Sequence, residues 1–405
     1  MAKLTPEAKA AKIDKAKAST KATKEKRKNQ TCLVRELKIN TSKMNQSELE
    51  RLRMLFVEAK WLRNAILSSE LPISDFDIGK DVTSVKGLDK NGKVEDKPLH
   101  FLTPQMRQSV QKQLINDISA LSAKKKKGYK VGKLTFVSEV NSIDLKQFKI
   151  TYNIFKSEEK VRIQKFPRLL HVHGMHQLLD EYEFANAKLI KKPSGYYLKV
   201  TCYVDKKKDT KSGIPYGGID LGIKTSVTTS DNDKRHISIK ESDSLKKAQK
   251  RLSHKKKGSH NRYKARMIVR REYEKITNRR QDVANKIVNF LTTKYDIIFM
   301  QDENIKGWHK GLFGKQVQHS ALGTVKQKLI GRKAILIDRW APTTKECFIC
   351  DTHSDIKLGE EMFSCNKCGY TEERDLKAAK TILKFGLSRK HLKTVLTGRK
   401  EQGES

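Results

Sequence analysis

Four cysteines carry the least ambiguous chemistry in the sequence: Cys347 and Cys350 in CFIC, and Cys365 and Cys368 in CNKC, with fourteen residues between the pairs. Each pair can sit on a tight knuckle. Two knuckles let four thiolates converge tetrahedrally on one structural zinc ion, with no ligand position left for water. Buried free cysteines would not need two such pairs. Asp351 follows one pair and Gly369 the other, both residue types suited to a turn. Cys32 and Cys202 stand alone.

Three carboxylates form the second constellation. Asp220 ends the apolar run GGID, Glu303 ends IIFMQDE, and Asp375 opens the helical pattern RDLKAAKTILKFG. Each alone has an ordinary reading, as a turn residue or as an acid favouring a helix N-terminus. Three of them on one region of alternating strands and helices suit hydrolysis of a phosphodiester, which needs carboxylates from different elements to hold two divalent ions.

A basic stretch lies between the first two acids. From Lys246 to Arg280 there are fifteen Lys or Arg against two acids, while Ile276, Val283, Ile287 and Leu291 recur at helical spacing. One face packs and the other is free to meet phosphate. Arg251, Lys255, Lys256, Lys257, Arg262, Lys264, Arg270 and Arg271 are the candidate backbone contacts, which position a nucleic acid without reading its sequence. A solvated charged face is the plainer alternative, but so many like charges without acids repel one another unless a partner is present. His254, His260, His309 and His319 have no mutual ligand spacing and read as surface or nucleic-acid contacts; Trp308 and Tyr263 are either stacking residues or half-buried anchors.

The elements that must position these groups follow from patterning. Residues 1–30 hold ten Lys or Arg against three acids and few apolar anchors, the composition of a mobile basic arm. TCLVRELKI reads as a strand, followed by a helix with Leu52, Leu55, Phe56, Ala59, Leu62 and Ile66 on one face. Thr103 and Pro104 start a second long helix, and the segment 76–98 between the two reads as a polar loop. FKITYNIF, FANAKLIKK and YYLKVTCYV read as strands, the last two hinged on Pro193, Ser194 and Gly195. Beyond Tyr216 two strands, basic helices, the strand IIFMQDE, a helix from about Ser320 and the strand AILIDR alternate, the pattern of an α/β domain.

At 405 residues the chain has room for two or three domains, and 86 Lys plus Arg against 46 Asp plus Glu give a net charge of +40. That excess calls for a large polyanionic partner, and no apolar run approaches the roughly 18 residues that would span a bilayer, so nucleic acid is expected and a membrane is not. No secretory h-region is present at the N-terminus, so a reducing intracellular setting is expected, cytoplasmic and nucleoid-associated in a prokaryote, with a nuclear site open if the host is eukaryotic.

GIDLGIKTSVTTSD, the helical run SHKKKGSHNRYKARMIVRREYEKITNRRQDVANKIV, QDENIKGW, and CFIC to CNKCGYTEERDLKAA occur in the order found in TnpB proteins of insertion sequences, relatives of compact type V CRISPR effectors. The sequence resembles that family closely from residue 188 to 383 and more loosely before it. The resemblance implies a multidomain α+β protein: a basic arm (1–30), a β-barrel wedge domain (31–46 and 141–210) carrying a helical recognition insertion (47–140), a RuvC-like (RNase H-fold) α/β nuclease domain (211–345 and 370–390) with an inserted zinc-ribbon module that meets target nucleic acid (346–369), and a C-terminal tail (391–405). It implies catalytic and Mg2+-holding roles for Asp220, Glu303 and Asp375, two catalytic Mg2+ ions and one Zn2+ ion, and guide RNA and target DNA as partners, with a monomer favoured.

Two departures from the family pattern stand out. A gapless alignment on IKG puts Gln301 where many relatives have the second acid; a neutral amide is a poor ligand for a hard cation, so the role is assigned to Glu303, with Asp302 as substitute. The third motif reads Glu373, Arg374, Asp375 and Lys377, with Lys377 where the family usually has Asn. The implied activity is RNA-guided cleavage of DNA by a two-metal site. The alternatives are a compact CRISPR effector using a CRISPR RNA, a guided DNA-binding repressor without cleavage, and a transposase that itself moves DNA, the last disfavoured because no catalytic Tyr follows a His-hydrophobe-His context.

Overall fold

A computed structural model describes residues 6–88, 92–206, 214–311, 313–356 and 359–388. The expected C-terminal tail, 391–405, lies outside the described residues. The chain forms two compact units, Met1–Lys208 and Asp209–Ser405.

The first unit opens with helix α1 (Pro6–Lys28), within the segment that composition marks as a basic arm. Ala, Lys and Glu are strong helix formers, and the helix end is anchored: Arg27 pairs with Glu183 at 2.7 Å and lies 3.6 Å over the Tyr203 ring. Strand β1 (Gln30–Ile39) then enters a seven-stranded sheet. Helix α2 (Gln46–Ser68) starts at a reciprocal cap, Asn45 and Glu48 each bonding the other's backbone, and buries Leu52, Leu55, Phe56, Ala59, Leu62 and Ile66.

The polar segment expected as a loop contains a hairpin, β2 (Ser84–Leu88) and β3 (Val94–Pro98). Helix α3 (Pro104–Lys126) begins as expected on Thr103 with Pro104 at its first position. Buried Glu58 of α2 accepts the amides of His100, Phe101 and Leu102, which seats the approach to α3. Strands β4 (Ser142–Leu145), β5 (Tyr152–Phe155), β6 (Lys160–Ile163), β7 (Leu170–His173), β8 (Glu183–Lys192) and β9 (Gly195–Asp205) complete the sheet in the order β4-β8-β9-β1-β7-β6-β5. A single bridge joins Phe148, three residues beyond the edge strand β4, to Tyr152 at the start of the other edge strand, β5, and the sheet packs around Leu37, Ile143, Val161, Leu189, Leu198 and Val200.

The second unit is a five-stranded sheet, β10 (Ile214–Asp220), β11 (Val227–Thr229), β12 (Lys234–Arg235), β13 (Tyr295–Gln301) and β14 (Ala334–Ile337), in the order β12-β11-β10-β13-β14. The first three strands are antiparallel, and β13 and β14 run parallel to β10. Helices α4 (Asp243–Ser253) and α5 (His260–Lys294) cross over between β12 and β13. Short helices α6 (Ile305–Trp308), α7 (Gly314–Ser320) and α8 (Leu322–Ile330) lead to β14, a small hairpin β15 (Met362–Ser364) and β16 (Thr371–Glu373) follows, and α9 (Arg374–Leu387) ends the unit.

Alternation along β10 and β13 sorts side chains onto two faces. Ile219, Ile298 and Met300 pack with Ile287, Val288 and Leu291 of α5 and with Val325 and Leu329 of α8; Phe299 and Ile337 pack with Ile382 of α9 on the other face. The Gly217-Gly218 pair is what allows both approaches. A Cβ at Gly217 would lie 2.6 Å from the Tyr295 ring, and one at Gly218 would lie 2.1 Å from the Ala379 carbonyl oxygen of α9. The sequence therefore seats α9 directly on the strand that ends in Asp220.

Candidate active site and metal centre

The sheet register brings the three acids to one edge. Ile219 pairs with Met300 in the parallel ladder, so Asp220 lies beside Gln301 at the carboxyl ends of β10 and β13, with Glu303 two residues further on. Helix α9 passes over Gly218 at Ala379, which puts its first turn and Asp375 toward the same end. Charge reports the convergence. The Asp220 carboxyl is pushed up to about 7, first by burial, then by the negative charges of Asp375 and Glu303, with Arg374 opposing. Glu303 is also raised, mainly by burial.

The neighbours of each acid separate structural from chemical roles. Asp302, the substitute for Glu303, is occupied: Lys326 lies at 2.6 Å and Arg339 at 2.9 Å, and the Lys326 hydrogen bond leads in holding its carboxyl below the usual range. Lys326 also donates to the Glu303 carbonyl at 2.7 Å, fixing the main chain while no described side chain bonds the Glu303 carboxylate. Gln301 is buried, and its amide donates to the carbonyls of Arg339 (2.9 Å) and Ala341 (2.8 Å) while accepting from the Thr343 hydroxyl at 2.9 Å. A carboxylate at 301 would face those carbonyls with no proton to give. Glu303 is thus the acid of this strand end that no cation or amide already claims.

One residue that sequence reasoning missed stands next to Asp220. Thr228 of β11 is its antiparallel partner, and the Thr228 hydroxyl is buried without a hydrogen-bond partner. A period-2 strand offers no sequence signal for it. The donor set is all oxygen and anionic, three carboxylates with Arg374 paired to one of them and an orphaned hydroxyl beside Asp220, and this chemistry fits a hard divalent cation. The three carboxylates are less tightly gathered than the thiols: among the described residues, the four cysteines alone bring three or more such ligand atoms within 4.8 Å of one another.

Those four sulfurs could hold a zinc ion. Sγ of Cys347 and Cys368 lie 3.6 Å apart and those of Cys350 and Cys365 3.5 Å apart, near the roughly 3.8 Å edge of a tetrahedron with 2.3 Å Zn–S bonds. Both knuckles turn as the residue types imply, with φ of 58° at Asp351 and 71° at Gly369. Each is closed by an amide returning to the first cysteine of its pair, Asp351 to the Cys347 carbonyl and Gly369 to that of Cys365. The Cys368 amide leads in bringing the Cys365 thiol down to about 6.

Lys377 joins this module to α9. It is fully buried, and its ammonium donates to the carbonyls of Thr343, Thr344 and Glu346 and lies 4.1 Å over the Phe363 ring. Burial brings it down to about 8, opposed by Cys347, Glu346 and Asp220.

The basic candidates divide. Arg251, Lys255, Lys256, Lys257, Lys264 and Arg271 are exposed around the turn from α4 to α5. Arg262 has a structural share: its guanidinium donates to the carbonyls of Leu252 and Lys255 and shapes that turn, while Arg270 is half-buried. Trp308 is an anchor, packed on the α5–α8 core, and Tyr263 is exposed between His260 and Arg266. Among the described residues no helix is long and apolar enough to cross a membrane.

Comparison with known proteins locates these features. Residues 200–309, which include Asp220 and Glu303, match the OrfB_IS605 family, described as "Probable transposase", and residues 323–382, which include the four cysteines and Asp375, match the Cas12f1-like TNB domain. A Streptomyces pristinaespiralis protein named "Putative RNA-guided DNA endonuclease" is 33% identical over 183 residues, 42% of this chain and 45% of that protein. InsQ of Escherichia coli K12, of the same description, is 25% identical over 196 residues, 42% of this chain and 48% of its own. The matches thus span just under half the length of these curated relatives. Among solved structures, a Cas12f1–sgRNA–target DNA complex aligns with a TM-score of 0.49 at 14% identity, over 87% of this chain and 99% of that one. The mini RNA-guided endonuclease CRISPR-Cas_phi3 aligns with a TM-score of 0.33 at 12% identity, over 64% and 63%. Residues 200–309 and 323–382, which hold the three acids and the cysteine knuckles, are thus similar to the OrfB_IS605 family and to the Cas12f1-like TNB domain.

Proposed function

We propose that this chain is an RNA-guided DNA endonuclease whose RuvC-like domain hydrolyses phosphodiesters at Asp220, Glu303 and Asp375. The observation that carries the reading is the meeting of these acids from two parallel strands and one helix at a single sheet edge, close enough for Asp220 to feel both other charges. The sheet order supports it, since three antiparallel strands followed by two parallel ones is the arrangement expected of an RNase H-type domain. The curated relatives named as RNA-guided DNA endonucleases support the partners, a guide RNA and a target DNA.

Two Mg2+ ions would be held by the three carboxylates, and when bound they would activate water and offset charge at the leaving oxygen. The protein's own contribution is placement. Arg374 bonds one Asp375 oxygen and orients that carboxylate, and Lys326 fixes the main chain of Glu303. The Thr228 hydroxyl offers a donor or acceptor beside Asp220. The exposed cations of the α4–α5 turn hold phosphate backbone, and sequence is read by base pairing with the guide. The seven-stranded unit with its helical insertion acts as wedge and recognition module for a short target-adjacent motif, and the zinc-bound knuckles, 346–369, contact target nucleic acid.

Replacement of Asp220 by Ala tests the assignment: target cleavage should fall below detection while guide and target binding persist. Retained cleavage would overturn the site. Sequencing of RNA copurified from the native locus tests guidance; one abundant species with a constant scaffold and a variable end is expected, and random host RNA would leave only a basic nuclease.

A further inference from the structure

Trp340 is 85% exposed, the most exposed of the large hydrophobic residues among those described. An indole so placed contributes little to folding, and it does not sit on a slack loop. The loop that carries it leaves β14 and is clasped from beneath, because the Gln301 amide bonds the carbonyls on both sides of Trp340, those of Arg339 and Ala341. The Trp340 amide donates to the Asp338 carboxylate at 2.8 Å, and the neighbouring Arg339 guanidinium is held by Asp302. The amides of Lys345 and Glu346 both return to the Pro342 carbonyl. The backbone is therefore fixed while the ring is bare, and among the described residues no other ring or cation stacks on it.

Its location gives the bare ring a purpose. Ile337 pairs with Gln301, and Gln301 lies beside Asp220, so the loop emerges from the same strand-end edge as the acids. Asp302, which holds Arg339, directly precedes Glu303. We infer that Trp340 is a nucleotide-binding subsite beside the three acids, stacking on an unpaired base of the strand that is cut, with Arg339 directed to the adjoining phosphate. The inference rests on the endonuclease reading for the identity of the strand. A net charge of +40 favours nucleic acid over a protein partner on this face. Stacking on an indole accepts every base, which suits a strand whose sequence is read elsewhere. Because the loop is already fixed, little ordering remains to oppose binding, and a base held there would set the register of the backbone at the acids.

The test uses the full-length protein, Trp340→Phe and Trp340→Ala, titrated with a 15-nucleotide oligothymidylate in magnesium-free buffer, with saturation followed by anisotropy of a labelled strand. The emission of Trp340, taken as wild type minus Trp340→Phe, should be quenched at saturation. Trp340→Ala should bind roughly 5- to 150-fold more weakly, the range for loss of one stacked base, and Trp340→Phe should restore most of the affinity. An unchanged difference emission at saturation overturns the subsite, as does a change that appears on concentrating the protein without DNA, which would mark a self-association surface. Magnesium-dependent cleavage is read separately in the guide complex. A wild-type protein that quenches but never cuts refutes the endonuclease reading and leaves the subsite standing, whereas one that cuts with no change in Trp340 emission overturns the subsite alone.

Discussion

Replacing Asp220 by Asn should stabilise the protein when divalent ions are absent, and the size of the effect follows from the electrostatics. The Asp220 carboxyl sits at about 7 against an ordinary 3.8, because burial and the charges of Asp375 and Glu303 disfavour its ionised form. A carboxyl raised in the folded state contributes stability that is fully present below about pH 4 and is lost as pH rises through about 7. The interval from 3.8 to about 7 corresponds to about 4 kcal/mol at ~1.4 kcal/mol per pH unit. Asn is uncharged at every pH. In magnesium-free buffer, wild type and Asp220→Asn should therefore melt together near pH 4 and separate progressively toward pH 8, the variant ending on the order of 10 °C higher for a unit of this size. Addition of Mg2+ at pH 8 should raise the wild type and leave the variant nearly unmoved, since only the wild type regains a compensating charge. Calorimetric melts across pH 4 to 8 decide the matter. Curves that stay superimposed over that range would mean that the three acids do not converge, and the site would have to be redrawn.

Gln301→Glu, which restores the acid many relatives carry, should destabilise the protein by about 3 kcal/mol and lower nuclease activity, because a buried carboxylate would face the Arg339 and Ala341 carbonyls; urea unfolding with a midpoint unchanged would contradict this. Cys365→Ser should reduce bound zinc from one ion per chain toward none and lower the melting temperature, measured by metal analysis of purified protein; zinc retained at one per chain would exclude the four-thiolate site. Replacing Lys255, Lys256 and Lys257 together by Ala should reduce the slope of log affinity against log salt by about 2 to 3, with base preference unchanged, whereas an unaltered slope would make that turn a solvated face.

What the sequence disclosed depended on whether the partner of an interaction has a residue-type signature. The cysteine knuckles were legible because both halves of each contact, thiols and turn residues, are rare types at fixed spacing, and the left-handed backbone at Asp351 and Gly369 matches that reading. The helix start at Thr103 and Pro104 was legible for the same reason. The 84–98 hairpin was passed over because its strands are short and polar, although Asn91-Gly92 is a hairpin signal. Thr228 and Trp340 had no signal at all: the role of one depends on which residue lies across a ladder, and that of the other on exposure. The acids themselves were visible as types, but only the side-chain partners of Gln301 and Asp302 set Glu303 apart from them.

The two departures from the family pattern have a common physical basis. Gln301 and Lys377 are both buried, and their partners divide a single segment between them: Gln301 donates to the carbonyls at 339 and 341 and accepts from the Thr343 hydroxyl, and Lys377 donates to the carbonyls at 343, 344 and 346. That segment runs from the end of β14 to Cys347, the first of the four cysteines. A loop without strand or helix partners leaves inward-turned carbonyls that must be met, and each one left buried and unmet costs about 1–3 kcal/mol. An amide and an ammonium can meet them, whereas a carboxylate in place of Gln301 cannot, and Asn in place of Lys377 would be too short to reach three carbonyls. Once Gln301 is committed to this task it is lost to cation binding, which supports the proposal that Glu303, two residues beyond the strand, is the acid at the end of β13. Lys377 has a further consequence, since it ties the segment before Cys347 to the turn of α9 that follows Asp375. The cysteine knuckles and the carboxylates at the strand ends are thereby parts of one hydrogen-bonded frame, so loosening either should be felt at the other.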